Sequence, residues 1–213
     1  MATKSETTET RWPVLITVIG LGGIYLALPD SLSVGPSWLL LVLIAASAVP
    51  AIAAHYTGRH RLDAILGYVI SILVTLALVG SLVLLIRSLP SKSEPPVILL
   101  RSAAALWITN ILVFALWYWR LDAGGPHERA TRGRHTSGAF FFPQMMEGAP
   151  TEHAERWSPR FIDYVFIAFN TSTAFSPTDT PILSRWAKVL SMLQALISLL
   201  VVAILAARAI GLL

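Results

Sequence analysis

The chain has 213 residues, 55% of them hydrophobic and only 13% charged, with a mean hydropathy of +0.67. Soluble domains carry roughly a quarter charged residues, so this deficit, with several long apolar runs, places the chain in the membrane class. The absence of cysteine excludes disulfides, thiolate metal sites and a cysteine nucleophile, and the net charge of +4 comes from arginines set between apolar runs, where they suit headgroups and not nucleic acid.

Residues 1–11, MATKSETTETR, read as a cytoplasmic tail. The first apolar element, WPVLITVIGLGGIYLALP (12–29), is expected to be a retained span. Its leader is not basic and LALPDSLS lacks a small-x-small cleavage pattern. Seven residues later, SWLLLVLIAASAVPAIAAHY (37–56) is a second span, antiparallel to the first, with Pro50 as a kink site. The third, residues 62–89, is long enough to tilt or emerge. The fourth, residues 97–121, ends in WYWR, an aromatic and cationic pattern expected at an interface. Asn110, mid-span, is expected to hydrogen-bond to a neighbouring helix.

Residues 122–160 form the one long polar loop, in which AFFFPQM is too apolar for free coil and is expected to dock on the bundle or the membrane surface. The last helix is expected from about Ser184 to Leu213. No internal repeat supports an inverted-repeat transporter. With the N-terminus cytoplasmic, Lys4, Arg11, Arg59, Arg61, Arg120, Arg129, Arg132, Arg134, Arg156 and Arg160 lie inside, against Arg87, Lys92 and Arg101 outside. That asymmetry favours a cytoplasmic N-terminus and a cytoplasmic 122–160 loop.

Between them lies FIDYVFIAFNTSTAFSPTDTPILSRWAK (161–188), which starts as a membrane helix and turns polar at Asn170. Three readings fit it. Residues 159–175 cross fully, giving six spans; or a short helix enters and returns, exposing NTSTAFSPTDT to a watery cavity; or the segment lies on the surface, although Ile162, Phe166 and Ile167 widen its apolar face. In the second reading the hydroxyls of Thr171, Ser172, Thr173, Ser176 and Thr178, the Asn170 amide and the Asp179 carboxylate line a path. Ser191, Gln194 and Ser198 continue it along one face of the last helix. Alternatively the polar residues only cap helices, with Asp179 or Ser184 at an N-cap and Pro181 near the first turn.

The order of short helix, Thr-rich turn, Asp, Pro, cation and long helix in TSTAFSPTDTPILSRWAKVL resembles the pore-loop module of tetrameric potassium channels. The resemblance lays Thr173 on the filter threonine and Asp179 on its closing aspartate. Both filter glycines are missing and Pro177 stands in the run, so a potassium-selecting stack of carbonyls is not implied. Over nearly its whole length the chain is similar to a family of uncharacterised small bacterial integral membrane proteins, through LALPDSLSVGPSWLL, WITNILVFALWYWRLDAGGP, FFFPQM and STAFSPTDTPILSRWAKVLSMLQALISLLVVAILAARAI. That resemblance implies a bacterial cytoplasmic membrane and no particular activity.

The five histidines, His55, His60, His127, His135 and His153, match no zinc spacing. The sequon Asn170-Thr171-Ser172 lies in an apolar element, and no hydrolase, nucleotide-binding or zinc-protease motif occurs. Arg208, near the end of an apolar helix, either snorkels to the interface or pairs with Asp63, Asp163 or Asp179. The expected fold is all-α, a polytopic membrane bundle of five firm transmembrane helices plus a short re-entrant or spanning helix at 161–178. Its parts are the 1–11 tail, a four-helix region at 12–121, the 122–160 loop and the 161–213 hairpin. The expected function is a channel-like protein that is not an enzyme, needs no cofactor, and passes a cation or small solute as a homo-oligomer, a tetramer if a pore-loop channel. The alternatives are a non-conducting scaffold subunit and a small-solute transporter.

Overall fold

The computed structural model describes residues 12–91, 95–132, 135, 137–146, 157–176 and 179–210, the side chains of 90, 91, 208 and 210 excepted. Seven α-helices occur among them: α1 (Trp12–Leu26), α2 (Ser37–Tyr56), α3 (His60–Ser91), α4 (Pro96–Leu121), α5 (Pro126–Arg132), α6 (Phe161–Thr173) and α7 (Arg185–Ile210). The only β-type pairing among the described residues is an isolated antiparallel bridge between Phe140 and Ile182. The all-helical expectation holds.

Among the described residues, four helices are long and apolar enough to cross a membrane: Ser37–Tyr56, His60–Leu89, Pro96–Gly124 and Arg185–Ala207. The expectation of five firm spans is more than this. Helix α1 has 15 residues, about 22 Å at 1.5 Å per residue, and stops at Leu26 ahead of a 3-10 turn at Asp30–Leu32. The helix expected over 161–178 ends at Thr173.

Helices α1 and α2 form an antiparallel hairpin, with Gly22 against Leu41 and Ile44 and the Tyr25 hydroxyl accepting the Val34 N–H at 2.6 Å. Helix α2 continues through Pro50, which leaves the Ala46 carbonyl without its helical donor. Helices α3 and α4 meet where Trp117 Nε1 donates to Thr75 Oγ1 at 2.9 Å and where the Arg120 guanidinium lies 5.5 Å from the rings of Tyr68 and Trp119. Gly67 leaves the space that this guanidinium fills, so a side chain at that position would have to displace it. The WYWR run therefore differs from expectation: Tyr118 and Trp119 are fully buried and fill the core instead of facing the interface.

Helix α4 carries Leu99, Leu106, Phe114, Leu116, Tyr118 and Trp119 into the core, touches α1, α3, α6 and α7, and forms the axis of the bundle. The outer faces of α2 and α7 stay apolar and exposed, for example at Trp38, Val49, Met192 and Leu196, as a lipid-facing surface requires.

Candidate functional site

The polar residues that follow Phe169 have their positions set by α6. Its first turn is closed by Asp163, whose carboxylate accepts the Arg160 N–H at 2.7 Å. An acid at a helix N-terminus satisfies an orphan donor and complements the dipole, which explains a carboxylate early in an apolar helix. The far end fixes the depth. Helices α6 and α4 are antiparallel, since the Tyr164 hydroxyl donates to Asp122 Oδ2 at 2.7 Å while Asn110 Nδ2 lies 3.5 Å from Ser172 Oγ.

Helix α7 runs antiparallel to α4 and parallel to α6. The Trp107 indole donates to Ser198 Oγ at 3.0 Å and Asn110 Nδ2 to the Gln194 carbonyl at 3.2 Å. From α7, Gln194 Nε2 donates to the Ala168 carbonyl at 2.6 Å and to Ser172 Oγ at 2.9 Å, and Ser198 Oγ donates to the Ser172 carbonyl at 2.6 Å. The tip of α6 thus lies level with Ser198, just past the midpoint of the 26-residue α7.

The return follows from this geometry. Residues 181–183 pair with the strap at 139–141: Phe141 N–H donates to the Pro181 carbonyl at 2.9 Å and Leu183 N–H to the Ala139 carbonyl at 2.7 Å. Ala139 N–H in turn meets Asp122 Oδ1 at the end of α4. Ala174–Ser176 therefore follow the α6 tip at the middle of the bundle, whereas Asp179 and Thr180 lie next to Pro181 at the end where α6 began, and α7 starts there. Ala174 caps α6 and Phe175 turns the chain with φ of 54°, a left-handed conformation that glycine would adopt more cheaply. Ser184 caps α7, its hydroxyl accepting the Ala187 N–H at 3.3 Å, as expected. Asp179 and Pro181 lie ahead of that helix and do not cap it.

The named residues divide into two groups. Thr171, Ser172, Ser191, Gln194 and Ser198 are buried. Thr171 bonds to the Ile167 carbonyl of its own helix at 2.8 Å. Ser172, Gln194 and Ser198 form a clamp with Asn110, Trp107 and Tyr118, whose hydroxyl donates to Gln194 Oε1 at 2.6 Å. Ser191, Gln194 and Ser198 do share a face of α7, and that face packs on protein. Thr173, Ser176 and Asp179 are exposed, Thr173 as the last residue of α6 where the returning arm begins, and Asn170 is half-buried. Thr178 lies outside the described residues, as does the Arg208 side chain. The expected interhelical hydrogen bond of Asn110 is present.

Comparison with known families, curated proteins and solved structures gives no match.

Two further features were not singled out from sequence. Trp107 and Tyr118 complete the clamp from α4, and nothing local marks them as its partners. At the end of α4, Ala123, Gly124 and Gly125 all take positive φ and reverse the chain, so that Arg129 Nη1 donates to the carbonyls of Trp119 at 2.7 Å and Asp122 at 2.9 Å. Asp122, Arg129, His135 and Tyr164 are then buried together under Phe140, Phe142 and Trp157. The expected docking of AFFFPQM is present: Phe140 and Phe142 are buried in the core.

Of the other histidines, His60 stacks on His127 with ring centroids 3.8 Å apart, and His55 Nδ1 lies 3.7 Å from Asp63 Oδ2. No group of three or more His, Asp or Glu that could hold a metal occurs among the described residues. A cavity of about 10 Å³ lies between α1, α2, α3 and α4, against Leu21, Leu40, Leu78 and Leu106. That is room for one water at most, and no polar-turn residue lines it.

Proposed function

We propose that the chain is a channel-like membrane protein in which α6 enters the bilayer half-way, the described link residues 174–176 and 179–180 belong to a returning polar arm, and a cation or small solute passes along that arm. The observation that carries this reading is the parallel course of α6 and α7, which obliges the link between them to run back through the depth of the bundle. Non-helical backbone at bilayer depth is tolerated only when it is buried in protein or faces water. The arm presents Thr173, Ser176 and Asp179 on the outside of a single chain, so water and further copies of the chain around an axis would have to cover it. A tetramer is the assembly that the pore-loop resemblance implies. Asp179 at the mouth favours cations, against the nearby charges of Arg185 and Lys188.

In this reading α1 makes the fifth crossing despite its short length, and α6 makes none. Arg185 and Lys188 then join the cationic side with the 122–160 loop. The N-terminus is cytoplasmic and α7 ends on the opposite face. A bacterial cytoplasmic membrane is the setting that the whole-chain resemblance implies.

The test is cation flux into liposomes containing the purified chain. Wild type is expected to conduct, with loss of at least tenfold in Asp179→Ala and a smaller loss in Thr173→Ala. No flux in wild type would remove the channel reading. A non-conducting scaffold is the second reading, and the clamp favours it: Ser172, Gln194 and Ser198 have their hydrogen bonds inside the chain.

A further inference from the structure

We propose that His135 and Asp122 form an acid-released latch that holds the exit of the returning arm against the end of α4. Its effect on passage rests on the hairpin reading above; the docking of the strap does not. The strap, residues 137–142, lies between two partners. On one side Ala139 N–H donates to Asp122 Oδ1 at 2.5 Å. On the other, Phe141 N–H and the Ala139 carbonyl hold Pro181 and Leu183, the residues that join the arm to α7. Loss of the Asp122 contact would therefore free the arm's exit as well as the loop.

Asp122 is fully buried and the His135 side chain only 1% exposed. Nε2 of His135 stands 3.5 Å from Asp122 Oδ2, the oxygen that also accepts the Tyr164 hydroxyl. An added Cβ at Gly138 would lie 2.6 Å from Asp122 Oδ1 and 2.8 Å from His135 Nε2, so the three segments meet with no room to spare. The charged and titratable groups facing the imidazole are Asp122 from α4, Arg129 and Arg132 from α5, and Tyr164 from α6 through the shared carboxylate. Phe142 and Trp157 close the remaining sides with ring centroids 6.0 and 6.2 Å away.

Burial disfavours the imidazolium most, and Asp122 opposes it, while Arg129 and Arg132 add to it; the net effect holds His135 below the ordinary histidine range. The docked strap thus binds fewer protons than the released strap. Docking is at full strength above the ordinary value of about 6.5 and weakens as pH falls below it, about tenfold per unit, until the docked imidazole itself protonates.

The test is hydrogen exchange of the full chain in lipid nanodiscs at pH 7.5 and 5.5, corrected for intrinsic exchange. Wild type is expected to lose protection about tenfold at pH 5.5 in peptides covering 137–142 and 181–184, with α3 and α4 unchanged. His135→Gln, or His135→Asn should the glutamine variant not fold, is expected to abolish that dependence. Tyr164→Phe is expected to lower protection equally at both pH values. Constant protection in wild type, or a dependence that survives in His135→Gln and vanishes in Asp122→Asn, overturns the latch. Acid-sensitive protection with no flux at either pH would overturn the channel reading and leave the latch standing, and flux with acid-insensitive protection would do the reverse.

Discussion

Gln194 bonds through its side-chain amide nitrogen, its side-chain oxygen and its backbone carbonyl, reaching α4 and α6 from α7. A buried amide so placed is costly to remove, because the buried Tyr118 hydroxyl then loses its 2.6 Å acceptor and Ser172 loses the Gln194 donor in an apolar interior. Gln194→Leu is expected to destabilise the chain by about 2 kcal/mol, read as a lower melting temperature in detergent. Thr173→Val, on the exposed arm, is expected to change it by less than about 0.5 kcal/mol. Equal effects would mean that the clamp is not what holds α6.

For the elements, the decisive quantity is the direction of α6. A helix of 13 residues covers about 20 Å, two thirds of a hydrocarbon core, so it either stops at depth or requires its polar tail to finish the crossing. The parallel register with α7 supports the first. Because the chain has no native cysteine, single substitutions report on this directly. Thr173→Cys and Ser176→Cys are expected to react with a membrane-impermeant maleimide added from the side that carries the 122–160 loop, and Ser172→Cys, inside the clamp, to resist it. Reaction of Ser176→Cys only from the opposite side would make α6 a full span.

At the scale of the whole molecule, the polar arm lies on the surface of one chain whose other outer faces are suited to lipid. Thr173, Ser176 and Asp179 would be costly against lipid, and in the proposed pore further copies shield them. The solubilised protein is expected to have a molecular mass that is a multiple of 23.2 kDa, with a tetramer giving four copies. Disulfide cross-linking between chains at Ser176→Cys should capture it. A monomer in native nanodiscs would leave the arm without cover and end the pore reading.

The sequence by itself determined the membrane setting, the four long helices and the hydrogen-bonding role of Asn110, and it narrowed the α7 cap to Asp179 or Ser184 and AFFFPQM to a docked segment, because apolar run length, capping chemistry and the cost of a mid-span amide are local properties. Residue order could not decide between a crossing and a return at 161–188, since both begin with the same short apolar helix and the choice depends on register against α4 and α7. It also could not tell the clamped Ser172, Gln194 and Ser198 from the exposed Thr173 and Ser176. Adjacent polar residues at the end of a helix point in different directions, and only the neighbours across 22 to 91 positions of sequence settle which are buried. The Asp122 and His135 pair was hidden for the same reason: burial there comes from a strap folded back over the end of α4, and long-range packing of that kind leaves no periodic trace in the chain.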